Sequence, residues 1–176
     1  TDLEPLDWHF IGRLQANKAR GVLRHVGTLH SVDSVDLAQR LQRIAAEENL
    51  TPRVFLQVKL RPDPAKTGFE PADLRAAWPR LRALAPLRVV GLMTIAPVGL
   101  EAGERSVLFG ECAALAAELD LPELSMGMSG DWPEAVAAGS TWVRLGTTLF
   151  GVRPGSEAPA PPGFAEQGTD PATTTP

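Results

Sequence analysis

A single cysteine, Cys112, leaves no partner for an internal disulfide and too few thiolates for a zinc site built on several of them. That fits a reducing compartment, with the cytoplasm as the default expectation. Tyrosine is absent altogether, so no phenol is available as an acid or base. No apolar run approaches the roughly 18–20 residues that cross a bilayer, and the start, TDLEPLDWHF, has neither the basic residues nor the apolar stretch of a signal peptide. No run of Lys and Arg stands out, and a formal charge of -4 with a pI near 5.4 gives no general attraction to phosphate backbones or anionic lipids. Charge therefore argues against nucleic acid and membrane as partners. The chain does not open on methionine, which points to a processed or partial sequence.

What is present is ordinary globular material: 176 residues, 44% hydrophobic and 22% charged, enough for one domain with a substantial core. Short apolar or β-branched runs alternate with longer stretches of helical period, the pattern of βα units. Six strands are predicted, at Trp8–Gly12, Thr28–Val32, Val54–Leu60, Leu87–Ile95, Leu124–Gly127 and Thr141–Leu145. Several are continuously apolar, as strands covered on both faces should be. Leu37, Leu41, Ile44 and Ala45 form one helical stripe behind a cap at Asp33 or Ser34, and Leu108, Cys112, Leu115 and Leu119 form another. Pro71 and Pro133 stand where a first-turn proline costs nothing, opening helices over 71–85 and 133–138. From Pro154 onward Pro, Gly, Ala and Thr dominate, so 1–153 is expected to be the folded domain and 154–176 a disordered tail.

Six parallel strands fit an open doubly wound sheet or part of a barrel; in the barrel the first and last strands would present unpaired edges to water. The motifs have to choose. In WHFIGRLQANKAR, Trp8 to Arg20, a short strand runs into a polar turn, and ligands sit at such strand ends. Read alone, Trp8, Phe10 and Ile11 are core, and His9 fits a hydrogen-bonded structural role better than a catalytic one. LSMGMSGD, Leu124 to Asp131, and STWVRLGTTLFG, Ser140 to Gly151, each place small residues and hydroxyls just past a strand, where backbone N–H groups and side-chain hydroxyls can meet a phosphate. Ser129, Gly146 and Thr147 are the expected phosphate contacts, flanked by Met128 and Thr148, although two ordinary Gly-rich turns would look the same. Arg144 interrupts the apolar run Trp142–Leu149; an unpaired guanidinium would be costly there, so it should face the interior and meet a partner, with an acidic neighbour as one choice.

Position by position, WHFIGRLQANKAR resembles the signature of the pyridoxal-phosphate homeostasis proteins, whose barrel is like the amino-terminal domain of alanine racemase. KTG at Lys66–Gly68 after VFLQVKL, GLMTIAP at Gly91–Pro97 and the two phosphate-type turns resemble further family segments, so the resemblance runs from about Trp8 to Arg153. It implies a (β/α)8 TIM barrel of the alanine racemase N-terminal type with about six of the eight βα units present, the last two strands being the seventh and eighth. It implies pyridoxal 5′-phosphate as cofactor, with Met128, Ser129, Arg144, Gly146 and Thr147 in contact with it and Arg144 near the pyridine nitrogen. An arginine stays protonated and cannot readily hand that nitrogen a proton, which disfavours carbanion chemistry. The family's cofactor lysine lies upstream of the WHFIG segment; none of Lys18, Lys59 and Lys66 matches it, so no catalytic residue is carried over and a fragment of a longer protein is expected. At Lys59 the family more often has an uncharged polar residue, and a solvent-facing side chain is slightly favoured over one at the cofactor mouth.

The expected function is a non-catalytic carrier of pyridoxal phosphate in vitamin B6 homeostasis, with apoenzymes that use this cofactor as potential partners. The full-length protein is expected to be a monomer, while open sheet edges would let a truncated chain associate. A racemase or decarboxylase of the alanine racemase type is the alternative, but it needs a second acid/base group and the tyrosine used by alanine racemase is missing. A cofactor-independent barrel enzyme acting on a phosphorylated metabolite would have to rely on His9 or Asp131, and an interaction module remains open as well.

Overall fold

In a computed structural model, residues 6–63 and 66–151 are described, so the 154–176 segment lies outside the described residues. The elements alternate along the chain: β1 (His9–Phe10), α1 (Ala19–Leu23), β2 (Thr28–Val32), α2 (Val35–Glu47), β3 (Arg53–Gln57), α3 (Pro71–Leu81), β4 (Arg88–Met93), α4 (Ala102–Glu118), β5 (Glu123–Met128), α5 (Trp132–Ala137), β6 (Trp142–Arg144) and α6 (Thr147–Phe150). All neighbouring strands pair in parallel, in the order β1-β2-β3-β4-β5-β6. A doubly wound sheet reverses its strand order at a switch point, whereas a barrel adds each strand beside the last. This sheet never reverses. It is a curled arc of barrel carrying six βα units.

Local chemistry sets the helix ends. Ser34 has extended backbone and its hydroxyl accepts the Leu37 N–H at 3.3 Å, which settles the choice of cap for α2; Asp33 instead receives the Ser34 hydroxyl. The predicted stripe is the buried face of α2, with Leu41 fully covered. Glu101 and Glu104 form a reciprocal capping box at the start of α4. Pro71 opens α3 as expected, but the helix ends at Leu81, where Arg82, Ala83 and Leu84 tighten into successive turns. The third strand stops at Gln57, short of the predicted Leu60, because Lys59 bonds back to Phe69 and Phe69 to Gln57, drawing the Lys66–Phe69 segment against the strand end.

The sheet has two packed faces. Outward, Leu29, Val54, Leu56, Leu92 and Met126 meet Leu41, Leu74, Leu108, Phe109 and Cys112 of the helices in the main core. Truncating Leu41 or Phe109 to alanine removes a fully buried side chain, a loss of about 3 kcal/mol or more. Inward, Phe55, Val90 and Met93 cluster with Ile95 and Trp142 on the concave side. Below this cluster Arg53 donates to Glu123 at 2.6 Å, and Glu123 also accepts from the Trp142 indole at 2.8 Å. These groups stand at the amino-terminal ends of β3, β5 and β6 and form the floor.

One sequence expectation fails at β1. Trp8 and Ile11 are 63% and 54% exposed and only Phe10 packs on the main core. The strand is two residues long and pairs with β2 alone among the described residues, so its outer edge covers neither side chain.

Gly91 is required by the crowding at β4: a Cβ there would lie 2.1 Å from the Glu123 carbonyl oxygen and 2.8 Å from the Phe55 ring. Gly110, exposed on α4, has nothing within 4 Å of such an atom. Gly91→Ala is therefore expected to destabilise the chain by about 3 kcal/mol or more in urea unfolding, while Gly110→Ala raises stability by roughly 0.5–1 kcal/mol.

Candidate functional site

Parallel strands bring their carboxyl ends to one rim, and the chemistry of this chain collects there and on the concave wall just below. At the rim, the turn after β5 and the turn after β6 meet. The Ser129 hydroxyl oxygen accepts the backbone N–H groups of both Gly146 and Thr148 at 3.2 Å, across the opening turn of α6. Asp131 closes the other side of the β5 turn by accepting the Met128 N–H at 2.6 Å. Gly127, with φ of 89°, lets β5 pass beneath α5, since a Cβ there would lie 2.7 Å from Ala135. The result is a shallow polar cradle in which two backbone donors converge on one oxygen.

Just inside the cradle, Arg144 lies opposite Met128 in the β5–β6 register. Its guanidinium donates to the Ser125 hydroxyl at 2.8 Å and to the Thr94 carbonyl at 2.9 Å. It thus faces the interior as its place in an apolar run demands, and its partners are neutral oxygens rather than a carboxylate. Burial pushes it down to about 10, which leaves it charged near neutral pH. Thr94 is in turn anchored by donating its hydroxyl to the Val58 carbonyl at 3.0 Å.

From Ser125 the hydrogen bonding continues to His30 Nδ1 at 2.7 Å, from His30 Nε2 to His9 Nδ1 at 2.9 Å, and from His9 Nε2 to Asp7 at 3.0 Å. The Phe55 ring stacks on His30 with centroids 4.4 Å apart, and Trp142 covers His9 at 4.8 Å. His30 is 2% exposed, and burial, with smaller contributions from His9, Arg144 and Arg53, pushes it down to about 4.

Of the expected site residues, Met128, Ser129, Arg144, Gly146 and Thr147 all fall at this rim. Met128 is partly exposed and its amide is engaged by Asp131; Thr147 is exposed between the two donor residues. His9 is hydrogen-bonded at both nitrogens, and Asp131 is held in a turn. Lys59 departs from the expected solvent-facing side chain: it pairs with Glu70 at 3.0 Å and is only 26% exposed, because the Lys66–Phe69 segment folds beside it. Lys66 reaches Asp63 and the Ala96 carbonyl. Sequence reasoning missed His30, Ser125 and Thr94. Their signal was weak but real, as Thr28 and His30, and likewise Glu123 and Ser125, alternate with apolar residues at the strand period. Cys112 is buried among the helices and its thiol is pushed up to about 12, so it is inert. Among the described residues no group of three or more His, Cys, Asp or Glu could hold a metal ion, and no helix is long and apolar enough to cross a membrane.

The family model for the alanine racemase N-terminal domain matches residues 7–154. A pyridoxal phosphate homeostasis protein of Synechocystis is 51% identical over 159 residues, covering 87% of this chain and 73% of the relative. The chain belongs to the pyridoxal phosphate homeostasis protein family. A second member, from Pseudomonas aeruginosa, is 42% identical and the match covers 85% of this chain and 66% of that protein, so this chain spans about two thirds to three quarters of these relatives. PipY of Synechococcus elongatus, a structure with PLP bound, superposes with a TM-score of 0.81 at 52% identity over 85% of this chain and 72% of PipY. Alanine racemase of Clostridium difficile, at 18% identity and a TM-score of 0.62, covers 81% of this chain and 39% of that one and shares the fold.

The family implies pyridoxal phosphate, and the cradle fits its phosphate. Gly146 and Thr148 already aim their N–H groups at a single oxygen, that of Ser129, whose own hydrogen can donate, and Arg144 stands at the adjoining end of β6.

The His30 environment carries a pH signature. Between about pH 6.5 and pH 4 the unfolded chain binds a proton at this site and the folded chain does not, so stability rises with pH across that window and is lost as pH falls through it. Thermal unfolding from about pH 7 to about pH 4.5 is expected to show a drop that His30→Gln reduces, with a ceiling of roughly 3 kcal/mol for the residue's share.

Proposed function

We propose that this chain binds pyridoxal 5′-phosphate and serves vitamin B6 homeostasis in the cytoplasm as a carrier that performs no turnover of its own. The observation that carries this reading is the convergence of the Gly146 and Thr148 N–H groups on one point at the rim of the barrel arc. The names of its relatives and the PLP bound in PipY support the same reading. In the proposed site Ser129, Gly146 and Thr147 hold the phosphate, Met128 flanks it, and Arg144 meets the ring side. Pyridoxal phosphate, when bound, supplies a reactive aldehyde and an electron-withdrawing ring.

The chain's own groups account for the quiet chemistry. Arg144 has only donors to offer and stays charged near neutral pH, so it orients a ring nitrogen without readily giving it a proton. His30 and His9 are spent on hydrogen bonds to each other and to Ser125 and Asp7, and the sequence has no tyrosine. A racemase or decarboxylase lacks its second acid/base group among the described residues of this site. Apoenzymes that need the cofactor are the proposed recipients.

Trp142 lies two residues before Arg144 on the same strand and packs in the concave cluster, so cofactor binding is expected to quench tryptophan fluorescence. Titration with pyridoxal phosphate should saturate, and inorganic phosphate should compete. Ser129→Ala, which removes one hydroxyl from the cradle, is expected to weaken binding of both by about five- to tenfold. No saturable binding by the unaltered chain, measured by fluorescence and by equilibrium dialysis, overturns the reading.

A further inference from the structure

Proton bookkeeping along the concave wall leads beyond the phosphate cradle. Five groups from four strands and the segment before them form an unbroken line: Arg144, Ser125, His30, His9 and Asp7. A guanidinium only donates, and an ionised carboxylate only accepts. With both imidazoles neutral, the two ends therefore impose a direction on everything between. Ser125 accepts from Arg144 and has one hydrogen to give, and because the Asp7 end requires a donor from His9, His30 Nδ1 is the bare nitrogen that takes it. His30 then carries its proton on Nε2 and donates to His9 Nδ1. His9 in turn carries its proton on Nε2 and donates to Asp7. Run the other way with neutral imidazoles, the line would set a bare His9 nitrogen against the Asp7 carboxylate and leave the Ser125 hydrogen without an acceptor among the described residues.

We propose that His30 and Ser125 are positioning residues that fix the Arg144 guanidinium through this one-way relay, with His9 and Asp7 as its outer anchor. The proposal rests on the cofactor reading above, and it deepens it by naming what aims the ring-side arginine. Burial makes the relay restrictive. Ser125 is fully covered and His30 2% exposed, so no water substitutes freely for a lost link. Phe55 stacked on the His30 ring holds the imidazole plane, and the Thr94 carbonyl takes the second guanidinium nitrogen, so Arg144 is held at two points set by different strands. Removing the Ser125 hydroxyl would leave one of those points and strip His30 Nδ1 of its donor.

The first arm of the test uses the unaltered chain without ligand. Long-range proton–nitrogen correlation NMR near pH 7.5 should find both His30 and His9 protonated at Nε2, with His30 Nδ1 showing the shift of a hydrogen-bonded acceptor; a proton on His30 Nδ1 overturns the relay. In Ser125→Ala that nitrogen should move to the shift of a bare imidazole nitrogen, and the slowly exchanging Arg144 guanidinium protons should be lost. Their persistence overturns the positioning role. The second arm measures affinity: Ser125→Ala should weaken pyridoxal phosphate about tenfold and leave inorganic phosphate within about twofold. Equal loss for both ligands, or loss for neither, contradicts a ring-side role. If the unaltered chain takes up no pyridoxal phosphate, the cofactor reading fails by itself, and the first arm still decides the relay.

Discussion

A guanidinium drawn partly out of water needs acceptors from the protein, and the concave wall of this arc is organised around that demand. Arg144 arrives at the end of a three-residue strand and is received by a side-chain oxygen from β5 and a main-chain oxygen just past β4. Each of those oxygens has its own obligation. Thr94 is tied to Val58, and Ser125 is tied to His30. Sheltering one charge thus commits residues of β2, β5, β6 and the segment just past β4, and no buried side-chain nitrogen or oxygen among the described residues lacks a partner.

The same sheet separates duties by depth. Arg53, Glu123 and Trp142 close the floor, Phe55, Val90 and Met93 fill the middle beside the polar line, and the cradle occupies the rim. Because barrel strands twist in concert, the Ser129 hydroxyl of the β5 turn and the amides of the β6 turn are brought together by pairing that begins below them, at Ser125 and Trp142. The cradle is therefore a property of the sheet, and Asp131 and Gly127 refine it locally. Main-chain donors fixed in this way are the kind of groups that the proposed phosphate site would draw on.

Much of this was readable from residues. Thr28–Val32 is a strand with the predicted bounds, the α2 and α4 stripes face the core, and Ser129, Gly146 and Arg144 meet at one rim. Apolar period reports such features because it reflects which face is covered. What escaped depends on neighbours. Trp8 and Ile11 look like core until β1 is seen to pair on one side only, and Lys59 looks solvent-facing until the Lys66–Phe69 segment folds back over the strand end. His30 and Ser125 are 95 positions apart, and nothing along the chain announces that β2 and β5 look at each other across a concave face.

The claim on which the functional account turns is that the rim donors take a phosphate. Backbone amide NMR of the chain during titration with pyridoxal phosphate tests it directly. The account predicts that the Gly146 and Thr148 amide protons move downfield together and saturate with the fluorescence change, as a charged oxygen replaces the Ser129 hydroxyl as their acceptor. Saturable binding that leaves both amides where they are in the free chain would contradict it.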